Sequence, residues 1–450
     1  MAKRSIRHTT VMTSIALALV SGSADAANWF KLQDVNPKHV ALVSGYIEPS
    51  IFSMAGTQTN IYNPALHRYI TAVPRTNLVG PNYGQSSTLI IQRAKLMIRG
   101  WLTPHISYLF AGEFGNNAAT DIGGQYQPQL QDGHVVFSYI PGARVEVGII
   151  RAPSAEDAMN GYVSYNYVVF PTVINQLMLQ PFYKANPGTP YGAGPDGSSL
   201  IPGSDGRGVN AFRYPGVQLF DWKNWGHWQV AYGAMVGMYG SLSAGDLSNQ
   251  PLYAARLQGS YIFSGHGPFR SDVTAWIWYQ NAQPTFLHHS YTMQREGVGF
   301  QYLQGYMHPW GRQLKFEYMK GNGWIDAPAA FNEQLGLAPA LDQAQLYPNL
   351  NNTASGYYVE GGLFLTKRIE LNLRYDYYDR LPNLAAVGGG ERIFKTWALA
   401  LQYHITPITK VMAGYYFRTI QAPNNAPTTP GSLVSKAVDN EFAMQAIISF

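Results

Sequence analysis

Short and long connections alternate along this chain, and that alternation constrains its fold more than any single segment does. Segments with period-2 apolarity, each about the ten residues a tilted strand needs to cross a membrane, recur through the sequence. They lie near 39–47, 88–101, 105–114, 132–139, 143–150, 209–221, 226–240, 253–263, 270–281, 291–303, 311–320, 356–365, 368–378, 395–404, 409–418 and 439–450. The gaps at Thr103-Pro104, Pro141-Gly142, Lys223 to Trp225, Thr366-Lys367 and Thr406-Pro407 are built from residues that punctuate strands. Between them lie long stretches at 48–87, 115–131, 151–208, 321–355, 379–394 and 419–438, most of them rich in Gly, Pro, Asn and Ser. A soluble sandwich has no reason to collect its long loops at one end, whereas a membrane barrel has short periplasmic turns and long extracellular loops. The expected fold is all-β, a transmembrane antiparallel β-barrel of about 16 strands.

The faces of the segments agree. Ile369, Leu371, Leu373, Tyr375 and Tyr377 share one side, and Glu370, Asn372, Arg374 and Asp376 share the other. A barrel turns the first set to lipid and the second to its lumen. Trp397, Leu399, Leu401 and Tyr403 repeat the pattern opposite Gln402 and His404. Trp101, Tyr139, Tyr377, Trp397 and Phe450 stand near segment ends, where interfacial aromatic girdles belong. Charged residues make up only 13% of the chain, about half the usual share, so something other than charge covers the surface. Beyond the first residues, no window holds the roughly 20 apolar residues of a spanning helix.

Those first residues read as a secretory signal peptide over 1–26. Lys3, Arg4 and Arg7 precede an apolar core from Val11 to Val20, and Ala24-Asp25-Ala26 forms a small-x-small cleavage site. The expected barrel unit is 27–450, with 28 basic residues against 25 acidic ones, a formal +3. So small a surplus gives no support to nucleic-acid binding. Cysteine is absent, which removes disulfides, thiolate metal sites and cysteine nucleophiles.

The short motifs Gln92-Arg93-Ala94-Lys95-Leu96 with Gly100, Glu113-Phe114-Gly115, Leu130 with Asp132-Gly133, and Gly148 leading to Arg151-Ala152-Pro153 with Glu156 occur in this order over 88–160. In order and spacing they resemble the phosphate-selective porin O and P family of bacterial outer-membrane porins. That resemblance implies a homotrimer in the outer membrane, surrounded by lipid and lipopolysaccharide, and a third long loop that folds inward and narrows the pore. Here the third long connection is 151–208, and Tyr165, Tyr167, Val168, Phe170, Ile174, Leu177 and Met178 give it something to pack with. The last segment, ending on Phe450, resembles the closing strand through which such barrels engage the assembly machinery.

The family's specialised substrate transfers less well. Phosphate-selective members carry an arginine ladder and lysines on the inward loop. The 151–208 loop holds only Arg151, Lys184 and Arg207 against Glu156, Asp157, Asp196 and Asp205. Arg93, Lys95 and Arg99 do share one strand face, opposite Ala94, Leu96 and Ile98. By strand parity Arg144, Arg256, Arg295, Lys315, Arg374, Lys410 and Arg418 also face inward, with Glu113, Glu146, Glu317, Glu360, Glu370, Asp376, Asp439 and Glu441. The expected function is a water-filled channel for passive diffusion of small hydrophilic solutes, with weak preference for anions such as phosphate. The expected pore-lining or anion-attracting residues are Arg93, Lys95, Arg99, Arg151, Lys184, Arg207 and Arg374.

Other chemistries are weaker readings. Gly192 to Gly197 fits G-x-G-x-x-G but lacks a preceding strand and following helix, and Pro195 makes it a turn. His288-His289 has no suitably spaced co-ligands, so no metal site and no cofactor is expected. His105 and Ser107 have the spacing of an outer-membrane lipase pair, but parity turns them to the lumen and no third residue orients the base. No enzymatic activity and no catalytic residue is expected. The remaining alternative is a plugged surface barrel acting as an adhesin or structural protein.

Overall fold

The computed structural model describes residues 40–56, 59–63, 67–72, 87–117, 128–161, 164–179, 199–201, 212–240, 250–265, 269–286, 289–327, 344–387, 391–427, 432, 435–436 and 438–450. The expected signal peptide lies outside them, as do Lys184, Arg207, His288 and the Gly192–Gly197 turn.

Sixteen antiparallel strands close into one barrel. In chain order they are β1 Leu42–Gly56, β2 Ser87–Thr103, β3 Ile106–Glu113, β4 Gln129–Ile140, β5 Ala143–Arg151, β6 Arg213–Trp225, β7 Trp228–Met238 and β8 Pro251–Ser264. There follow β9 Ser271–Ala282, β10 Met293–Gln304, β11 Arg312–Asn322, β12 Thr353–Phe364, β13 Ile369–Arg380, β14 Arg392–Thr406, β15 Thr409–Gln421 and β16 Val438–Ser449. Each strand pairs with its sequence neighbour, and β16 returns to β1, with Tyr46 opposite Ser449 and Ser53 opposite Phe442. Closure leaves the barrel without an edge strand, so the backbone polar groups of the wall pair from strand to strand around it, with bulges such as that at Glu48/Pro49 interrupting the ladder.

Alternation sorts the side chains by face. Val43, Leu89, Phe110, Val236, Leu257, Ile277, Leu373, Leu401 and Ile448 are exposed on the outside. A continuous apolar exterior on a closed barrel suits hydrocarbon and not water. Tyr139 and Phe450 are exposed near strand ends, where the sequence placed a girdle, whereas Trp397 is exposed well inside β14, which begins earlier than the sequence reading has it. The polar set, including Glu48, Lys95, Asp132, Arg256, Glu317 and Arg374, is buried on the inside. The core of this protein is the content of its lumen.

Most boundaries shift by a few residues from the sequence reading, and two of the differences change a connection. The first strand does not end at residue 47 but continues to Gly56, because a bulge at Glu48/Pro49 absorbs the proline while pairing with β2 and β16 goes on beyond it. The β6–β7 turn is at Gly226–His227 instead of Lys223 to Trp225, whose residues pair with β7. Glu113 secures the next junction: its carboxylate accepts the backbone N–H groups of Ala94 (2.8 Å) and Gly115 (2.9 Å), pinning β3 to β2 just where the chain leaves the sheet.

Candidate pore constriction

The segment following β5 is anchored to the barrel's inner wall along its stretches 152–161 and 164–179. It opens with a one-turn helix, Glu156–Met159, whose preceding residue Ala155 offers no side-chain cap. The wall provides one instead. Glu317 on β11 accepts the Glu156 backbone N–H with both carboxylate oxygens, and also accepts from the Trp276 and Trp278 indoles and the Tyr358 hydroxyl, each at 2.9 Å. Lys315 bridges Asp157 and Glu360 at 2.7 Å each, while Arg256 pairs with Glu156 and donates to the Ser154 carbonyl at 2.6 Å. Arg151 donates to the carbonyls of Ala158, Met159 and Asn160, with Asn160 the nearest at 2.7 Å, closing the helix's other end.

The second stretch crosses to the wall of β12–β15. Lys410 donates to the Tyr165 carbonyl at 2.5 Å and Arg374 to the Val169 carbonyl at 3.0 Å, with the Arg374 guanidinium 4.4 Å from the Tyr167 ring centre. Thr172 donates to Asp376 at 2.7 Å, and Tyr416 accepts the Val169 N–H at 3.2 Å. Arg295 on β10 donates to the Leu177 carbonyl at 3.3 Å. Between these polar ties Val173, Ile174, Leu177 and Met178 pack into one cluster with Trp276, Trp278, Tyr358, Tyr378 and Phe394. Each such aliphatic side chain contributes about 1.5–3 kcal/mol when removed from water. The wall accepts them because Gly297 and Gly299 of β10 leave room for the two indoles: a Cβ at Gly299 would lie 2.3 Å from the Trp276 ring.

Burial also acts on the phenols of this segment. It pushes those of Tyr165 and Tyr167 above the ordinary tyrosine value, so both stay neutral at physiological pH. Tyr165 uses its hydroxyl as a donor to the Asp157 carbonyl at 2.9 Å.

The wall formed by β16, β1–β2 and β4–β6 is lined instead by ion pairs and hydrogen-bonding polar side chains. Arg93 meets Glu48 at 2.7 Å, Asp132 receives both Lys95 (3.3 Å) and Arg213 (2.7 Å), His134 lies 3.1 Å from Glu146, and Arg144 lies 3.6 Å from Asp221. Gln445 on β16 donates to Glu48 at 3.2 Å and to Gln92 at 2.6 Å. The Arg93 guanidinium stands 5.8 Å from the Phe170 ring centre, so the second stretch reaches from the β12–β15 wall to the β2 wall. At the turn end, the 305–311 connection bends under β12–β15: Tyr306 packs on Phe364 and His404 and donates to the Pro407 carbonyl at 3.1 Å.

The residues singled out from sequence are therefore divided. Arg93, Lys95 and Arg99 share the inward face of β2, paired across the sheet with Glu48, Tyr46 and Leu42. Arg151 is engaged with the helix carbonyls, and Arg374 is buried beneath the loop, as are Lys315, Arg256 and Lys410. Glu48, Asp132 and Arg213 were missed as lumen groups. Glu48 was hidden by Pro49, and the other two stood at segment boundaries drawn a few residues off. The glycines opposite Trp276 and Trp278 were a legible but unread signal for a wall that receives other side chains. His105 is exposed at the turn end, 5.0 Å from the Tyr139 ring, and Ser107 is buried on the inward face. Among the described residues no group of three or more His, Asp or Glu side chains is placed to hold a metal ion.

No family model matches the chain, and no curated protein sequence matches it. Solved structures do resemble its fold. OmpF of Salmonella typhi, in complex with daunomycin, is 10% identical over 91% of this chain and 97% of that one, with a TM-score of 0.54. The outer membrane channel DcaP of Acinetobacter baumannii is 10% identical, covers 91% of this chain and 97% of its own, and gives 0.48. The anion-selective porin of Comamonas acidovorans is 12% identical, covers 91% and 98%, and gives 0.45. At such identities the likeness to OmpF is one of fold, a closed sixteen-stranded barrel.

Proposed function

We propose that this protein is a porin of the bacterial outer membrane, a water-filled channel for passive diffusion of small hydrophilic solutes. The observation that carries this reading is the division of the lumen. The inner segment and the 305–311 connection cover the β9–β15 side from the two ends, while the opposite wall presents charged and amide side chains from end to end. A solute would pass along that polar wall, with residues 152–179 as the constriction. With the Arg418–Glu441 pair at the β15–β16 seam included, Arg93, Lys95, Arg99, Arg144, Arg151, Arg213 and Arg418 stand there with Glu48, Glu113, Asp132, Glu146, Asp221 and Glu441, seven cations against six carboxylates among the described residues, which supports weak anion preference and not a phosphate trap.

The rest of the reading follows from that role. The chain would be exported by the segment 1–26, assembled through its closing strand at Phe450, and held among lipid and lipopolysaccharide as a homotrimer. Single-channel recording in a planar bilayer under a KCl gradient tests it. Open steps with a small anion-selective reversal potential are expected. Folded barrels that give no steps would replace the porin with a surface barrel closed by its inner segment.

A further inference from the structure

On the polar wall, two ion pairs show their cation to the lumen and keep their carboxylate behind it. The Arg93 side chain is 20% exposed and Glu48 0%, and Arg144 is 28% exposed against 9% for Asp221. Each of these arginines also faces an aromatic ring. Arg93 stands 5.8 Å from the half-buried Phe170, whose edge is flanked by Tyr165 at 4.9 Å, and Arg144 lies 4.0 Å over the half-buried Trp222. Arg93 is nearer the loop end of β2, and Arg144 is the second residue after the turn that opens β5. A solute travelling the wall meets the two stations in succession.

A guanidinium and an aromatic ring side by side define a ligand chemistry. The fork of N–H donors matches a carboxylate, and the ring offers a face or edge to a planar apolar body. Inorganic phosphate uses the first and has no apolar body to set against the second. Resting on the porin reading, we propose that this lumen is selective for planar aromatic monocarboxylates, taken first by Arg93 with Phe170 and Tyr165 and then by Arg144 with Trp222. The carboxylate behind each arginine weakens its hold, so the solute is passed on and not trapped, as conduction through successive sites requires.

The test compares benzoate with cyclohexanecarboxylate, which has the same charge and nearly the same size but no π face. Permeability of each relative to chloride is read from reversal potentials across bilayers containing the purified full chain. Benzoate should be favoured over cyclohexanecarboxylate by roughly threefold or more, the scale of one aromatic contact. That ratio should fall toward one in Trp222→Leu and in Phe170→Leu. The two substitutions lie on the wall and on the inner segment, so a folding defect in one leaves the other informative. Chloride currents with equal permeability for the two acids would overturn this proposal and leave the porin standing. Absence of any current would overturn the porin reading itself.

Discussion

Both carboxylate oxygens of Glu317 lie 3.1 Å from the backbone nitrogen of Glu156, so a strand of the barrel wall caps a helix more than 150 residues away in sequence. Removing that carboxylate in Glu317→Ala leaves the indoles of Trp276 and Trp278 and the Tyr358 hydroxyl without their acceptor. Each buried donor left unmet costs about 1–3 kcal/mol. The strand ladder is untouched, so the inner segment should loosen before the barrel unfolds. Limited proteolysis of the folded protein should then cut within 152–179, whereas the parent should resist cleavage there. An unchanged cleavage pattern would show that the wall does not depend on Glu317 to hold the segment.

That relationship also marks where sequence stops being legible. Period-2 faces such as Ile369 to Tyr377, and the alternation of turns with long loops, are local signals, and the sixteen strands follow from them with shifts of a few residues. Pro49 misled because a bulge can carry a proline that a regular ladder cannot. The side chains of Arg374, Lys315 and Lys410 face inward as parity requires, yet parity is silent on what they meet. Their partners Val169, Asp157 and Tyr165 sit on a segment whose path is set by long-range packing. Cations that read as pore lining are thereby anchors for the inner segment.

The Arg374 anchor can be separated from the fold. Arg374→Met with Asp376→Asn removes the cation and the charge it faces at 3.2 Å, so no lone buried charge remains. The Val169 carbonyl loses its donor and the Tyr167 ring its cation. Open-channel current should become noisier, with excursions to higher conductance, as the segment around Val169 samples positions away from the wall. Traces as quiet as the parent's would mean that the apolar contacts of Ile174 and Leu177 suffice.

Charge substitutions on the polar wall have opposite expected signs. Replacing Arg93, Lys95 and Arg99 together by Gln should move the reversal potential toward cation selectivity. Glu48→Gln should move it the other way, because Glu48 lies 2.7 Å behind Arg93 and offsets its charge. Exposed parts of these pairs are screened by salt, so both shifts should shrink as KCl is raised. A reversal potential indifferent to all four positions would place the permeation path elsewhere.

Closure of the barrel sets the last expectation. Gly45 exchanges two backbone hydrogen bonds of 3.0 Å with Phe450, and the Phe450 ring lies across its α-carbon. A Cβ at position 45 would stand 2.5 Å from the Lys95 carbonyl oxygen on one side and 2.5 Å from the Phe450 ring on the other. The ring can swing aside, but the carbonyl belongs to the β1–β2 ladder and cannot. Gly45→Val should therefore lower the fraction of protein that migrates as folded barrel in unheated gels. Adding Phe450→Ala should recover only the part of the loss that comes from the ring, and the conflict with Lys95 should persist. Full folding of Gly45→Val alone would mean that β1 shifts along β2 to make room, which the Tyr46–Lys95 register would then reveal in a structure of the variant.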